Sequence, residues 1–334
     1  MDPLPLSIQT LYADLLQQAE TASRDEATVV TTEVNGVRYL RLQRWVGAKR
    51  VVEHLGRGDD PAVRARADRA GIEMQGRRER RKLVAALRRF VGGPSPKLGK
   101  VLHTLAYAGL FERGAVLVGT GAYQCYPALI GDRLAASALT TQDADIATAD
   151  LALSGAVEGE DLATILRRAD PGFSGIMGLD PRKPSSRFRS PDGFVVDCLT
   201  PMRRRSDTDP MPLPRLAAGA TPLQHLDWLI DEPIRALALH GAGILVTVPQ
   251  PVRYAIHKLI VAQKRPAGES GKRAKDLVQA HALKQVLQAQ DSEEWDAALE
   301  DARSRGPGWA KPIDLSLRYK GIGPGGTAAI PVPT

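Results

Sequence analysis

The chain has 334 residues, enough for roughly two domains of about 150 residues each. Hydrophobic residues make up 43% and charged residues 25%, a balance that excludes a wholly disordered chain. No apolar run approaches the about 18 residues that a membrane-spanning helix needs, and the N-terminus lacks the layout of a signal peptide. Cys125 and Cys198 are too few for a disulfide framework. We therefore expect a folded cytoplasmic protein that does not act at a membrane.

The net charge of +7 is concentrated in one segment. Residues 57–100 contain 13 basic and five acidic residues, so this segment alone has a charge of +8. Such a run favours a polyanionic partner, although a solvated helix face explains it equally simply. Aromatic residues are only 5% of the chain, which disfavours a dedicated single-strand binder built on base stacking. The candidate contacts with a nucleic acid in this segment are Arg77, Arg78, Arg80 and Arg81.

The N-terminal region is predicted to contain a helix, a small sheet and a long basic helix. Apolar residues at helical spacing predict a helix over 7–22. Two runs rich in β-branched and aromatic residues, 28–34 and 37–46, are joined by Asn35-Gly36, which favours a tight hairpin turn. A third strand is predicted over 50–54. The arginine-rich segment predicts a helix over about 61–91, with an interruption at Gly71 or Gly76 as the alternative, and the helix ends at a Gly-Gly-Pro sequence.

The remainder of the chain alternates predicted strands and helices, which makes the fold class mixed α+β. The predicted strands are 115–118, 139–148, 194–199 and 244–248. The predicted helices are 98–110, 122–130, 161–169, 251–263, 272–288 and 293–303. We divide the chain into an N-terminal region (1–97), a core (98–215), a C-terminal strand and helical subdomain (216–305) and a flexible Gly/Pro-rich tail (306–334).

Three aspartates occur where a solvated charge is unexpected. Asp143 and Asp145, two residues apart on a predicted strand, project from the same face. Asp197 lies among apolar residues in another strand. Carboxylates that share a face repel each other, and a divalent cation is the natural compensation. Three converging carboxylates would suit two magnesium ions and an in-line phosphoryl displacement. The alternative interpretation of Asp143 and Asp145 is that they lie in a turn or at a solvent-facing strand edge.

A glycine-containing turn, Gly119-Thr120-Gly121, follows the predicted strand 115–118. Glycine lets the backbone approach a phosphate closely, and the amides at the start of the next helix point at an anion. The turn is not a dinucleotide-binding fingerprint, because Gln124 stands where a third glycine is needed.

Together, these motifs resemble the polymerase-β-type nucleotidyltransferase superfamily. The resemblance is carried by Val118-Gly119-Thr120-Gly121, Gln142-Asp143-Ala144-Asp145-Ile146 and Val196-Asp197-Cys198, and it covers roughly 98–288. Within the superfamily, the sequence is similar to bacterial toxin and abortive-infection nucleotidyltransferases. One departure is the spacing, since 22 residues separate Thr120 from Asp143, more than the superfamily usually shows.

The resemblance implies a polymerase-β-type core, a small mixed sheet with flanking helices, and a role for each motif. Asp143 and Asp145 would hold two Mg²⁺ ions, with Mn²⁺ as the alternative metal. Asp197 would complete one metal site and orient or deprotonate the attacking hydroxyl. Gly119 and Thr120, with the adjacent Gly121, would hold the nucleotide phosphates.

The C-terminal helices resemble the helical part of the toxin-type enzymes. Lys258 would neutralise a triphosphate, and Lys275 and Asp276 would fix that lysine or the nucleobase, with a solvated helix face as the alternative. His257, beside Lys258, is interpreted as a packed or surface histidine. Arg187 and Arg189 flank the strand of Asp197 and are further candidates for contacting the triphosphate or a nucleic acid.

The expected activity is Mg²⁺-dependent transfer of a nucleoside monophosphate from an NTP such as ATP to a hydroxyl, with release of pyrophosphate. The basic segment favours RNA, such as a tRNA end, as the acceptor. The toxin-like resemblance implies an antitoxin-like partner protein. Two alternatives are a catalytically silent nucleotidyltransferase fold that binds nucleic acid or a partner, and a small-molecule adenylyltransferase of the antibiotic-inactivating kind.

Overall fold

The computed structural model describes residues 1–23, 26–46, 49–134, 148–152, 160–178, 180, 182–204, 206–207 and 209–319. Within these residues the helices α1 to α11 are Leu6–Thr21, Pro61–Val91, Pro96–Tyr107, Gly119–Tyr123, Tyr126–Ile130, Leu162–Ala169, Leu226–Leu229, Pro251–Lys264, Ser270–Gln290, Ser292–Ser304 and Pro307–Leu317. The strands β1 to β12 are Thr28–Val34, Val37–Val46, Lys49–Arg57, Val116–Val118, Thr148–Ala152, Ser174–Gly175, Arg187–Arg189, Val195–Pro201, Met211–Leu213, Ala218–Leu223, Ile234–Ala238 and Ile244–Val248.

A mixed sheet lies at the centre of the fold, and the predicted α+β class is confirmed. Its strands follow the order β4-β5-β8-β10-β9, and β7 pairs with both β8 and β6. Strand β5 is antiparallel to β4 and parallel to β8, while β10 is parallel to β8. Helices α3 and α6 contact each other, and α8 to α11 form a helical layer whose apolar residues join the same core.

The N-terminal region forms its own antiparallel sheet, β1-β2-β3, covered on one face by helix α2. The Asp60 side chain caps α2 by accepting from the amides of Ala62 and Val63. The helix then runs to Val91 and ends at Gly92, which has a φ of +73°. The predicted bounds of this helix and of the hairpin are confirmed, and the predicted third strand is longer, Lys49–Arg57.

Three predictions of secondary structure differ from the structure. The predicted helix 122–130 is two short helices, α4 and α5, separated where Pro127 removes a backbone donor. Part of the predicted tail is a helix, Pro307–Leu317, anchored by a fully buried Ile313. Strands β6, β7 and β9 to β11 and helix α7 were not predicted.

One predicted strand is only partly covered by the structure. For residues 139–148, the structure describes residue 148 alone, where strand Thr148–Ala152 begins, and 139–147 lie outside the described residues. Across the part of the chain that the structure describes, no helix is both long enough and apolar enough to cross a membrane.

Candidate functional site

The predicted phosphate-binding turn lies at the end of buried strand β4. Gly119 has a φ of +63°, a conformation that glycine adopts without strain. A Cβ atom added at Gly121 would lie 3.0 Å from Leu117 Cδ1, so a larger residue would press on the core below. The three turn residues are themselves the first residues of helix α4, which has only five residues, and this corrects the prediction of a full helix after the turn whose N-terminus attracts an anion. Any phosphate held here needs charge from other elements.

A cluster of buried tyrosines supports this turn. The Tyr254 hydroxyl, on α8, lies 3.0 Å from the Gly119 carbonyl oxygen. Tyr126 packs edge-on against Tyr254, with ring centroids 5.1 Å apart, and donates a hydrogen bond to the Pro249 carbonyl oxygen. Burial raises the pKa of both Tyr123 and Tyr126, so these hydroxyls stay protonated. The cluster therefore fixes the turn against the C-terminal helices.

Lysine 275 connects helix α9 to the turn. Lys275 Nζ donates a hydrogen bond to Thr120 Oγ1 across 3.0 Å, although 155 positions separate the two residues. The contact places an ammonium group beside the glycine turn, where the short helix α4 supplies little charge of its own. The sequence predicted that Lys275 would fix Lys258 or a nucleobase, and the structure places it on the turn.

The neighbouring Asp276 joins two cations in a buried network. Its side chain is 4% exposed, with Lys258 Nζ 2.5 Å from Oδ1 and Arg265 Nε 3.0 Å from Oδ2. Burial acts to raise the pKa of Asp276, but the charges of Lys258 and Arg265 outweigh it and hold the pKa below its usual value. Lys258 also lies 5.4 Å from the centroid of the Tyr254 ring. Asp276 thus holds Lys258 in place. This is one of the two roles that the sequence suggested for Asp276, the other being contact with the nucleobase.

His257 is half-buried beside this network. Burial lowers the pKa of His257 to about 3, and the adjacent Lys258 charge acts in the same direction. The imidazole is therefore neutral at physiological pH, which fits the packed histidine predicted from the sequence.

The third predicted carboxylate, Asp197, lies on β8 and forms an ion pair. Arg187 Nε, on the antiparallel neighbour β7, is 2.6 Å from Asp197 Oδ1. The Asp197 side chain is 20% exposed, so it faces a partly open region. Arg189, two residues further along β7, is exposed. Arg187 therefore neutralises a predicted metal ligand, a contact that the sequence did not predict.

The strand register brings Asp197 close to the glycine turn. Val118, the last residue of β4, pairs with the backbone of Asp150 on β5, which in turn pairs with Asp197 on β8. Neighbouring strands lie about 4.8 Å apart, so the Cα atoms of Val118 and Asp197 are separated by about 10 Å. Only β5 therefore lies between the strand that precedes the Gly119 turn and the strand that carries Asp197.

The other two predicted metal ligands, Asp143 and Asp145, lie outside the described residues. Within the residues that are described, no three His, Cys, Asp or Glu side chains form a group suited to hold a metal ion. The convergence of the three aspartates therefore stays a prediction.

The predicted contacts on helix α2 divide into buried and exposed arginines. Arg77 is only 7% exposed and donates a hydrogen bond to the Ala27 carbonyl oxygen, so the prediction of a surface contact is corrected for this residue. Arg80 is half-buried and lines, with Arg77, a cavity of about 460 Å³. Arg78 and Arg81 are exposed on the helix.

The residues of this site with no role predicted from the sequence include Tyr254, Arg265 and Gln279. Tyr254 precedes Lys258 by four positions on α8 and could have been found from this spacing. Gln279 is fully buried, and its Oε1 lies 3.0 Å from the Tyr254 hydroxyl. Arg265 follows the end of α8 and carries no sequence signal that would connect it with Asp276.

Lys275 of α9 contacts the glycine turn, and the strand of Asp197 lies one strand away from the strand that precedes this turn. A family model described as Nucleotidyltransferase matches residues 96–304, more than half of the chain, and the chain belongs to this family. The nucleotidyltransferase part of the resemblance is thereby confirmed. Searches among curated proteins and among solved structures find no match.

Proposed function

We propose that this nucleotidyltransferase moves a nucleoside monophosphate from an NTP, ATP among them, to a hydroxyl group of RNA such as a tRNA end. The observation that carries the proposal is the hydrogen bond between Lys275 and Thr120, because it attaches a cationic helix to the glycine turn. Lys258 is held close by through Asp276, so two ammonium groups belong to one connected cluster.

The residues also fit a divalent metal. Asp143, Asp145 and Asp197 would supply only carboxylate oxygens, the donors that Mg²⁺ and Mn²⁺ prefer. Asp197 already requires a compensating positive charge, which Arg187 provides through the 2.6 Å contact. When bound, Mg²⁺ would neutralise the triphosphate and favour ionisation of the acceptor hydroxyl.

The protein's own residues would position the reacting groups. Thr120 and Lys275 bind the phosphates, and Lys258 adds a point charge whose place is fixed by Asp276. Asp197 orients the acceptor hydroxyl and accepts its proton. The acceptor oxygen forms a bond to the α-phosphorus, the bond from that phosphorus to the bridging oxygen breaks, and pyrophosphate leaves.

The test is label transfer from each α-labelled NTP to total RNA in the presence of Mg²⁺. We expect labelling by the wild type and a loss of at least about 100-fold in Asp197→Asn. Asp227→Asn, which removes an exposed carboxylate on α7, is the matched control and should label RNA normally. Absence of transfer from every NTP, or equal labelling by Asp197→Asn, would refute the proposal.

From the sequence resemblance to toxin-type enzymes alone, we further propose a partner protein that restrains the activity. Induced expression of the wild type alone should then slow growth, while Asp197→Asn should not. Equal growth of the two strains at equal protein levels would remove the toxin-like role.

A further inference from the structure

One face of the N-terminal sheet packs against α2, and the opposite face carries the exposed residues Trp45, Arg50, His54 and Arg57. Leu42 is 8% exposed and lies on the face toward α2, as does Gly56, whose added Cβ would be 3.0 Å from Val63. Side chains alternate along a strand, so Tyr39, Arg41 and Trp45 of β2 point to the opposite face. The register pairs these three with Arg57, His54 and Arg50 of β3, in that order. These six residues define the outer sheet face.

The charge of the outer sheet face is positive. Arg41, Arg50 and Arg57 contribute three guanidinium groups, and of these Arg57 pairs with the exposed Asp59. The two acidic residues within the strands lie on the inner face. Glu53 pairs with Arg66 of α2, and Glu33 lies opposite Arg38 in the ladder.

Two of these arginines lack a counter-ion. Among the described residues, neither Arg41 nor Arg50 forms an ion pair or a side-chain hydrogen bond. Arg50 is exposed and Arg41 is half-buried. The open face therefore offers donors that a phosphate group could satisfy.

The same face exposes aromatic surface. Trp45 is 62% exposed, an unusual state for an indole, and it lies beside the exposed Arg50. Tyr39 lies six positions earlier, on the same side of the same strand. The chain is poor in aromatic residues overall, but two of them lie on the outer sheet face, on the same side as Arg41 and Arg50.

We propose that the outer sheet face binds single-stranded nucleic acid. Unpaired bases can stack on Trp45 and Tyr39 while Arg41 and Arg50 contact the phosphates. A duplex keeps its bases stacked and would use only the charges. This site lies outside residues 96–304, which the family model matches, and its binding does not depend on the proposed transfer reaction.

The experiment measures fluorescence anisotropy of labelled RNA and DNA strands of about twelve nucleotides, with the matching duplex, and full-length protein without NTP. The variants are Trp45→Ala, Trp45→Phe and the double variant Arg41→Gln/Arg50→Gln. The matched control is Arg69→Gln/Arg89→Gln, which removes two exposed arginines from α2 that the sequence does not name as nucleic-acid contacts. Thermal melting confirms that each variant is folded.

We expect Trp45→Ala to weaken single-strand binding by about 10- to 100-fold, and Trp45→Phe to retain most of the affinity. Arg41→Gln/Arg50→Gln should reduce the slope of log affinity against log salt by about 1.4. In the background of the α2 control, Trp45→Ala should weaken single-strand binding by the same factor as in the wild type. Equal binding by Trp45→Ala, preference for the duplex, or a wild-type dimer that Trp45→Ala dissociates would each overturn the proposal.

Discussion

Replacing Asp276 by asparagine should destabilise the protein more than any surface substitution near the site. The change keeps the shape of the side chain but removes the charge that two cations share. Asparagine also presents an NH₂ group, which must face either Lys258 or Arg265, so one donor is directed at another donor. Because the carboxylate is only 4% exposed, water cannot replace the lost interactions.

The magnitude follows from the burial of the three side chains. Removing one partner of a buried ion pair costs about 3–5 kcal/mol. Lys258 is 12% exposed, but Arg265 is 29% exposed and already forms a second ion pair with Glu269 at 3.2 Å. We therefore expect Asp276→Asn to lower the free energy of unfolding by about 3 kcal/mol, the lower end of this range. Such a loss corresponds to a urea midpoint lowered by about 1 M.

Stability against pH gives a second measurement. The pKa of Asp276 is lowered in the fold, so its contribution is present above the unfolded value of about 3.9 and is lost as the pH falls through the folded value. The difference between wild type and Asp276→Asn should be constant near pH 7 and shrink below about pH 4. Urea unfolding at several pH values measures this difference.

A double variant separates structure from function. Lys258→Met/Asp276→Leu replaces the pair with apolar side chains and should recover most of the stability, because the buried lysine is removed with its partner and Arg265 keeps its ion pair with Glu269. If Lys258 contacts the triphosphate, this stable variant should still lose nucleotide affinity. An Asp276→Asn protein within about 0.5 kcal/mol of the wild type would refute the reasoning.

Three further predictions concern neighbouring residues. Lys275→Met should weaken NTP binding about tenfold or more in calorimetry with little effect on melting, because it removes a charged donor beside Thr120; unchanged affinity would contradict this. Arg187→Gln should strengthen the binding of terbium, a luminescent substitute for the divalent ion, by up to about fivefold, since a competitor for Asp197 is lost; weaker binding would contradict it. His257→Gln should flatten the loss of stability between about pH 6.5 and pH 3, because the unfolded wild type takes up a proton there that the folded protein excludes; parallel curves in urea unfolding would contradict this.

Elements with strong local signals could be predicted from the sequence. Helix 61–91 has a capping aspartate, a proline in its first turn and a glycine after its last residue, and its bounds agree with the structure. Strand β8 was found from its apolar run, and the glycine turn from its composition. The helix Pro307–Leu317 was missed because its glycines and prolines were interpreted as helix-breaking residues of a flexible tail. Pro307, however, stands at the first position of the helix, where proline is tolerated.

Contacts between distant residues were harder to predict. Lys258 and Asp276 were both named, but only the packing of α8 against α9 shows that they form a pair. Arg77 was assigned to the surface with its neighbours because a charge run does not reveal which member turns inward to reach Ala27. Short strands such as Met211–Leu213 depend on pairing with β10, which no local pattern encodes.

The packing at both ends of the matched region bears on how the catalytic part could be isolated. Upstream of residue 96, Tyr12 accepts a hydrogen bond from the Leu237 amide, and Leu15 and Leu87 share a core with Leu237. Downstream of residue 304, Ser316 donates a hydrogen bond to the Leu259 carbonyl oxygen on α8. A fragment of residues 96–304 would therefore uncover apolar surface on two sides, and the smallest well-behaved unit should extend from about the start of α1 to the end of α11.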